Sequence, residues 1–196
     1  MGSMFERIME TTGKIEHQTI SEFPLYFNKE IDKKTDSKVK QIEILKQENS
    51  KFPYNENGKL LPNVCYESKG YYYRTDGEGR ITKAEGTLRL ENGIRDENAQ
   101  RRAGGEDRLP GDQGGHLIGR QFGGSGGLDN LVAMKGELNQ GAYKKLEMDF
   151  KKALENRQNV DVKVIPKYQS DSGRPSSFVV AYSIDGERTK RIFNNT

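Results

Sequence analysis

The chain contains no tryptophan, one cysteine and no apolar run of the roughly 18 residues that a membrane-spanning helix needs. A lone cysteine, Cys65, excludes an internal disulfide framework and a multi-cysteine zinc site. It reads as a small, half-buried hydrophobe. Without a spanning segment, no membrane role is expected. An excess of one charge is also missing: 32 basic residues face 29 acidic ones, a net of +3. That balance does not by itself declare a nucleic-acid binder, and any electrostatic argument must rest on local clusters. Hydrophobic residues make up only 32% of the 196, so either the core is modest or part of the chain lies outside it.

The sparse part is residues 1–50. Met1-Gly-Ser-Met4 reads as an expression scar rather than a targeting signal. A polar, lysine-rich stretch follows, interrupted by Pro24. Val39, Ile42 and Leu45 with lysines around them suggest a short amphipathic helix. We read 1–50 as a tag remnant and a linker or partner-facing segment, with no role for His17, and 51–196 as the folded domain. There, Tyr71-Tyr-Tyr-Arg-Thr75 is rich in strand formers and Asp76-Gly-Glu-Gly79 supplies a turn, so a hairpin with a second strand over 80–90 is expected. The tyrosines at 71–73 read as strand packing. A polar stretch over 91–113 shows no periodicity, the mark of a mobile or functional loop. Leu146, Phe150, Ala153 and Leu154 recur at helical spacing over 141–156. Strands over 160–168, 177–183 and 188–193 finish the chain, the last two joined by an Asp185-Gly186 turn. The expected fold class is α+β: an antiparallel β-sheet core with one principal helix.

Chemistry concentrates between 112 and 147. Asp112-Gln-Gly-Gly-His116 sets a histidine behind two glycines, which allow a tight turn and close approach to a phosphate. Neutral imidazole is suited to deprotonate water. Asp112 either orients the ring or bonds elsewhere in the loop. Asn139 reads as a helix N-cap whose carbonyl oxygen would also suit Mg²⁺, and Glu147 follows eight residues later. On a straight helix that is a rise of roughly 12 Å and an offset near 80°. One ion therefore cannot be gripped directly by both: Asn139 is the direct ligand, and Glu147 serves the ion's water shell. The competing reading has Asn139 as a cap and Glu147 paired with Lys151. Arg95, Arg101, Arg102, Arg108 and Arg120 could meet phosphate charge, with Arg120 best placed as a transition-state contact, and Lys144 and Lys151 could track a nucleic-acid backbone. The run Gly123–Gly127 lacks a phosphate-loop ending and reads as a flexible connector.

Together with Asn130-Leu-Val-Ala-Met134 and Leu138-Asn-Gln-Gly-Ala-Tyr-Lys-Lys-Leu-Glu147, these residues resemble the DNA/RNA non-specific endonucleases of the ββα-metal (His-Me finger) class. The resemblance covers about 65–193. It implies a ββα-metal motif, His116 as general base, Asn139 on a single Mg²⁺ (Mn²⁺ suits the same ligands) and Glu147 supporting its water shell. Asn130 is implied as a further residue of the metal site, and Lys151 matches a basic residue after the glutamate. The chain departs from the pattern where Gln113 replaces the usual arginine and a glycine is added, leaving Arg95 and Arg120 as candidates for the scissile phosphate. The glycine-rich flank of His116 is similar to the bacterial toxin branch. That implies the C-terminal domain of a larger secreted toxin of the LXG, type VII kind. Such a toxin acts in the cytoplasm of a target bacterium and is neutralised in its producer by an immunity protein. The expected function is therefore metal-dependent hydrolysis of DNA, with RNA as a further substrate. A non-catalytic nucleic-acid-binding module and a protein-interaction module remain the alternatives. Salt-sensitive binding indifferent to Mg²⁺ would mark the first, and no nucleic-acid binding the second.

Overall fold

The computed structural model describes residues 52–196; the expected helix at 39–45 and the reading of 1–50 lie outside the described residues. Strands β1 (Cys65–Ser68), β2 (Tyr71–Thr75) and β3 (Ile81–Thr87) come first. Helix α1 (Glu97–Arg102), a single 3-10 turn (Gly105–Asp107), β4 (Asp112–His116) and β5 (Leu131–Lys135) follow. Then come α2 (Gly136–Gln140), α3 (Ala142–Glu155), β6 (Val160–Tyr168), β7 (Pro175–Ile184) and β8 (Glu187–Asn194). Six strands form one antiparallel sheet in the order β1-β2-β3-β6-β7-β8, and β4 with β5 forms a separate two-stranded ribbon. The fold class is α+β, as the sequence suggests. Among the described residues no helix is long and apolar enough to cross a membrane.

Alternation builds the large sheet. Val160, Val162 and Val164 of β6 and Phe178, Val180 and Tyr182 of β7 face inward and are buried. Tyr71 and Tyr73 are buried on β2 while Tyr72 between them is exposed, so two of the three tyrosines pack. Asp185 and Gly186 both take positive φ (48° and 88°), the conformation a two-residue hairpin turn requires. Helix α3 lays Tyr143, Leu146, Phe150 and Ala153 on this sheet. The Phe150 ring meets Tyr182 at 4.9 Å between centroids, and Tyr143 meets Phe193 at 5.6 Å. Burying side chains of this size contributes about 1.5–3 kcal/mol each.

Several expectations are corrected. Cys65 is exposed on β1, an edge strand, rather than half-buried. The polar stretch 91–113 is not a plain loop but carries a helix: Asp96 caps α1 by accepting from the amides of Asn98 and Ala99 at 2.9 and 3.0 Å. Arg108 closes the other end, donating to the carbonyls of Gln100 (2.6 Å) and Asp112 (2.5 Å). The glycines at 123–127 form no flexible connector. A Cβ at Gly124 would strike the Ile118 carbonyl and one at Gly126 the Ile94 carbonyl, so this loop is wound too tightly for side chains.

Candidate active site

His116 ends β4, in register with Leu131 of β5. Its position depends on the two preceding glycines, and not for the reason their sequence suggests. A Cβ at Gly114 would lie 2.7 Å from Cα of Gln100 on α1, and one at Gly115 2.7 Å from Cβ of Met134. They admit a helix and a core side chain rather than a phosphate. Asp112 does not orient the imidazole either. Its carboxylate takes two bonds from Arg174, at 2.7 and 2.9 Å, and one from the Leu109 amide at 2.9 Å. Burial alone would raise its pKa, but the Arg174 bonds and the Leu109 amide hold it below the usual carboxylate range. This pair joins the ribbon to the start of β7. Asn195 makes a second joint: its amide donates to the carbonyls of Ala133 (3.1 Å) and Pro175 (2.7 Å) and accepts from the Lys135 amide (2.8 Å).

The imidazole itself is held neutral. Although the residue is only half-buried, Nε2 is enclosed and has no hydrogen-bond partner among the described residues. Burial first, then the charges of Arg120 and Arg95, push its pKa down to about 4. Both candidate arginines thus act on His116. Arg120 is exposed, and its carbonyl accepts from the Gly93 amide at 2.8 Å, which fastens the loop carrying Arg95 to the loop after β4. Arg101 instead bonds Asn98 (2.5 Å) and lies 3.9 Å from Glu97, while Arg102 reaches the Gly58 carbonyl at 3.5 Å. These contacts tie both to α1 and its surroundings rather than to His116.

The loop between β4 and β5 folds around Asn130, which is completely buried. Its Oδ1 accepts from Tyr73 Oη (3.1 Å) and the Ile118 amide (2.9 Å); its Nδ2 donates to the carbonyls of Ile118 (2.9 Å) and Ser125 (2.8 Å). Two lone pairs and two protons are all an asparagine side chain offers, so Asn130 has none left for a metal. Its expected place among the metal ligands is corrected: it shapes the loop that carries Arg120.

Asn139 and Glu147 are not on one straight helix. Gly141 (φ −102°, ψ −105°) separates α2 from α3, so Asn139 lies inside α2 and caps nothing. Its Nδ2 donates to Gln113 Oε1 at 2.8 Å, and Oδ1 has no partner among the described residues. Glu147 packs its carboxylate on Gly119, where any Cβ would collide with it. Beside it lies an apolar cavity lined by Leu88, Leu117, Ile118, Phe122 and Phe150. Burial pushes its pKa up to about 7, with Lys144 pulling the other way. The alternative pair with Lys151 does not form; Lys151 meets Glu155 at 3.7 Å. Gln113 and Gly119 stand three residues before and after His116, so the partners of Asn139 and Glu147 bracket the histidine.

Among the described residues no three His, Cys, Asp or Glu side chains cluster as a metal cage. One free amide oxygen and one carboxylate without a paired cation form a sparse oxygen donor set. That suits a hard ion that keeps most of its water.

A family model described as DNA/RNA non-specific endonuclease matches residues 62–186. The type VII secretion system protein EssD of Staphylococcus aureus (strain USA300) is 44% identical over 145 residues, covering 69% of this chain and 24% of that protein. The probable deoxyribonuclease RhsA of Dickeya dadantii (strain 3937) is 31% identical over 85 residues, 43% of this chain and 6% of that protein. The chain thus spans at most about a quarter of the length of these curated relatives. A solved structure of NucA from Streptococcus agalactiae with magnesium ion bound is similar at a TM-score of 0.49 and 18% identity, covering 70% of this chain and 75% of that one.

Proposed function

Because the chain belongs to the DNA/RNA non-specific endonuclease family, we propose that it hydrolyses DNA with a divalent metal ion, as the nuclease portion of a larger secreted toxin. The observation that carries the reading is His116: a half-buried imidazole at the end of β4, kept neutral by burial and under the charge of two arginines. A general base must be free of its proton before the reaction, and burial with Arg120 and Arg95 keeps it so. A bound phosphate cancels part of the arginine charge. The ring's proton affinity then rises as the attacking water gives up its proton to the imidazole. The same guanidinium groups stabilise charge gathering on the phosphate oxygens.

Asn139 Oδ1 would hold the ion directly and the Glu147 carboxylate would serve its water shell. Mg²⁺, or Mn²⁺ on the same donors, would supply positive charge against the phosphate and the leaving oxygen. Lys144 and Lys151, exposed on α3, follow the nucleic-acid backbone, with Arg101 and Arg102 as outer contacts. DNA is named as substrate because RhsA is a probable deoxyribonuclease, and RNA is a further one. Type VII export follows from the likeness to EssD. With it come action in the cytoplasm of a target bacterium and an immunity protein in the producer.

Digestion of supercoiled plasmid tests the chemistry. Nicking should require Mg²⁺, stop in EDTA and fall at least about 100-fold in His116→Ala. Comparable cleavage by that variant refutes the base, and no cleavage of DNA or RNA by the folded protein with Mg²⁺ or Mn²⁺ favours a binding module. Expression in a bacterial cytoplasm should kill, and His116→Ala should not; survival with the wild-type chain removes the toxin role.

A further inference from the structure

We propose that Gln113 is a positioning residue for Asn139, holding its amide so that Oδ1 rather than Nδ2 faces the cation. The inference rests on the reading of Asn139 as the direct ligand. An asparagine amide is nearly symmetric in shape, and a half-turn about its last torsion exchanges an acceptor for a donor. Only one of those states binds a cation. In the structure Gln113 Oε1 accepts from Asn139 Nδ2 at 2.8 Å, across 26 residues of chain, which leaves Oδ1 turned away from Gln113.

The contact is built from both sides. Gln113 lies on β4 opposite Met134, and its amide reaches across to α2. There Gly136 leaves it room, since a Cβ at 136 would stand 3.2 Å from Gln113 Nε2 and 2.9 Å from the Gly111 carbonyl. The Gly136 amide donates to that same carbonyl at 3.0 Å, tying the start of α2 to the turn before β4. Helix α2 has five residues and no side-chain cap, and Gly141 parts it from α3. Nothing along the helix therefore orients Asn139.

Titration of Mn²⁺ into the metal-free protein by calorimetry, with melting curves beside it, tests this without any turnover. Gln113→Met keeps the shape and removes the acceptor. It should weaken Mn²⁺ binding on the order of 10-fold, as loss of an outer partner of a metal ligand does, with an unchanged melting temperature. Gln113→Glu, which can only accept, should bind Mn²⁺ at least as tightly as wild type. Wild-type affinity in Gln113→Met, or a loss in Gln113→Glu as large as in Gln113→Met, overturns the proposal. Asn139→Ala separates the two levels: it should abolish binding, and retained binding there removes the ligand assignment itself.

Discussion

In the six-stranded sheet, β6 pairs with β7 along its whole length, and the inward positions are Val160, Val162 and Val164 against Phe178, Val180 and Tyr182. In the ribbon, β4 pairs with β5 over five residues, two of them glycine, and its edges are held by the side chains of Asp112, Arg174, Asn130, Asn195 and Arg108. Both are antiparallel ladders, yet the first is packed through alternating apolar side chains, while the second adds a set of buried polar bonds to the apolar Leu131, Val132, Ala133 and Met134 of β5. Side chains brought together from separate loops need those loops at fixed places, and directional bonds place loops where apolar contact alone would let them slide. The cost is that single substitutions in the ribbon act hard and locally.

The largest effect should come from Asp112→Ala. The Asp112 side chain is 1% exposed and that of Arg174 11%, so the variant leaves a buried guanidinium with the Asn195 carbonyl but no counter-charge and should lose about 3–5 kcal/mol in urea unfolding. Hydrogen exchange should show the loss first in 112–116 and 131–135; equal loosening of β6 and β7 would break the contrast between the two regions. Asn130→Ala comes next, at about 1–3 kcal/mol for the polar groups it strands. Plasmid nicking should fall with it, because the Arg120 loop loses its centre. Unimpaired nicking at unchanged stability would show that the loop does not depend on Asn130.

The smallest effect is a pH slope, measured in EDTA. His116 has a folded pKa of about 4 against 6.5 when unfolded, so the unfolded chain binds more protons between those values. Its contribution makes stability rise with pH from 4 to 6.5. Glu147 is shifted from 4.5 to about 7, the folded chain binds more protons in that window, and its contribution falls as pH rises. The two oppose each other between 4.5 and 6.5. Melting temperatures of Glu147→Gln should therefore climb more steeply with pH than those of wild type, and His116→Ala should tilt the other way. Parallel curves for all three would show that neither group is shifted by burial.

Much of the sheet was legible because its signals are local. The β2–β3 hairpin, the last three strands, the Asp185-Gly186 turn and the buried face of α3 all follow from spacing within about ten residues. The ribbon was less so. Helix α1 is short and polar and was not expected; Asp96 before Glu97, a cap, is the local signal that could have found it. Gly114 and Gly115 read as room for a phosphate and prove to be room for Gln100 and Met134. Asn130 reads as a ligand from its place in the motif, and only its four partners show that it is saturated. The break at Gly141 was hidden within an apparently continuous helical pattern. Gln113 looked like a lost arginine until Asn139 was seen to donate to it.

What the sequence by itself determined is the α+β architecture, the hairpins and the set of residues in which chemistry had to be sought, since periodicity, turn residues and motif spacing are properties of neighbours along the chain. Only the tertiary structure decided that Asp112 belongs to Arg174, 62 residues away, that Asn130 has no lone pair to give and that His116 is kept neutral. Hydrogen-bond saturation and the desolvation of a charge depend on which distant groups close around an atom, and no spacing along the chain records that.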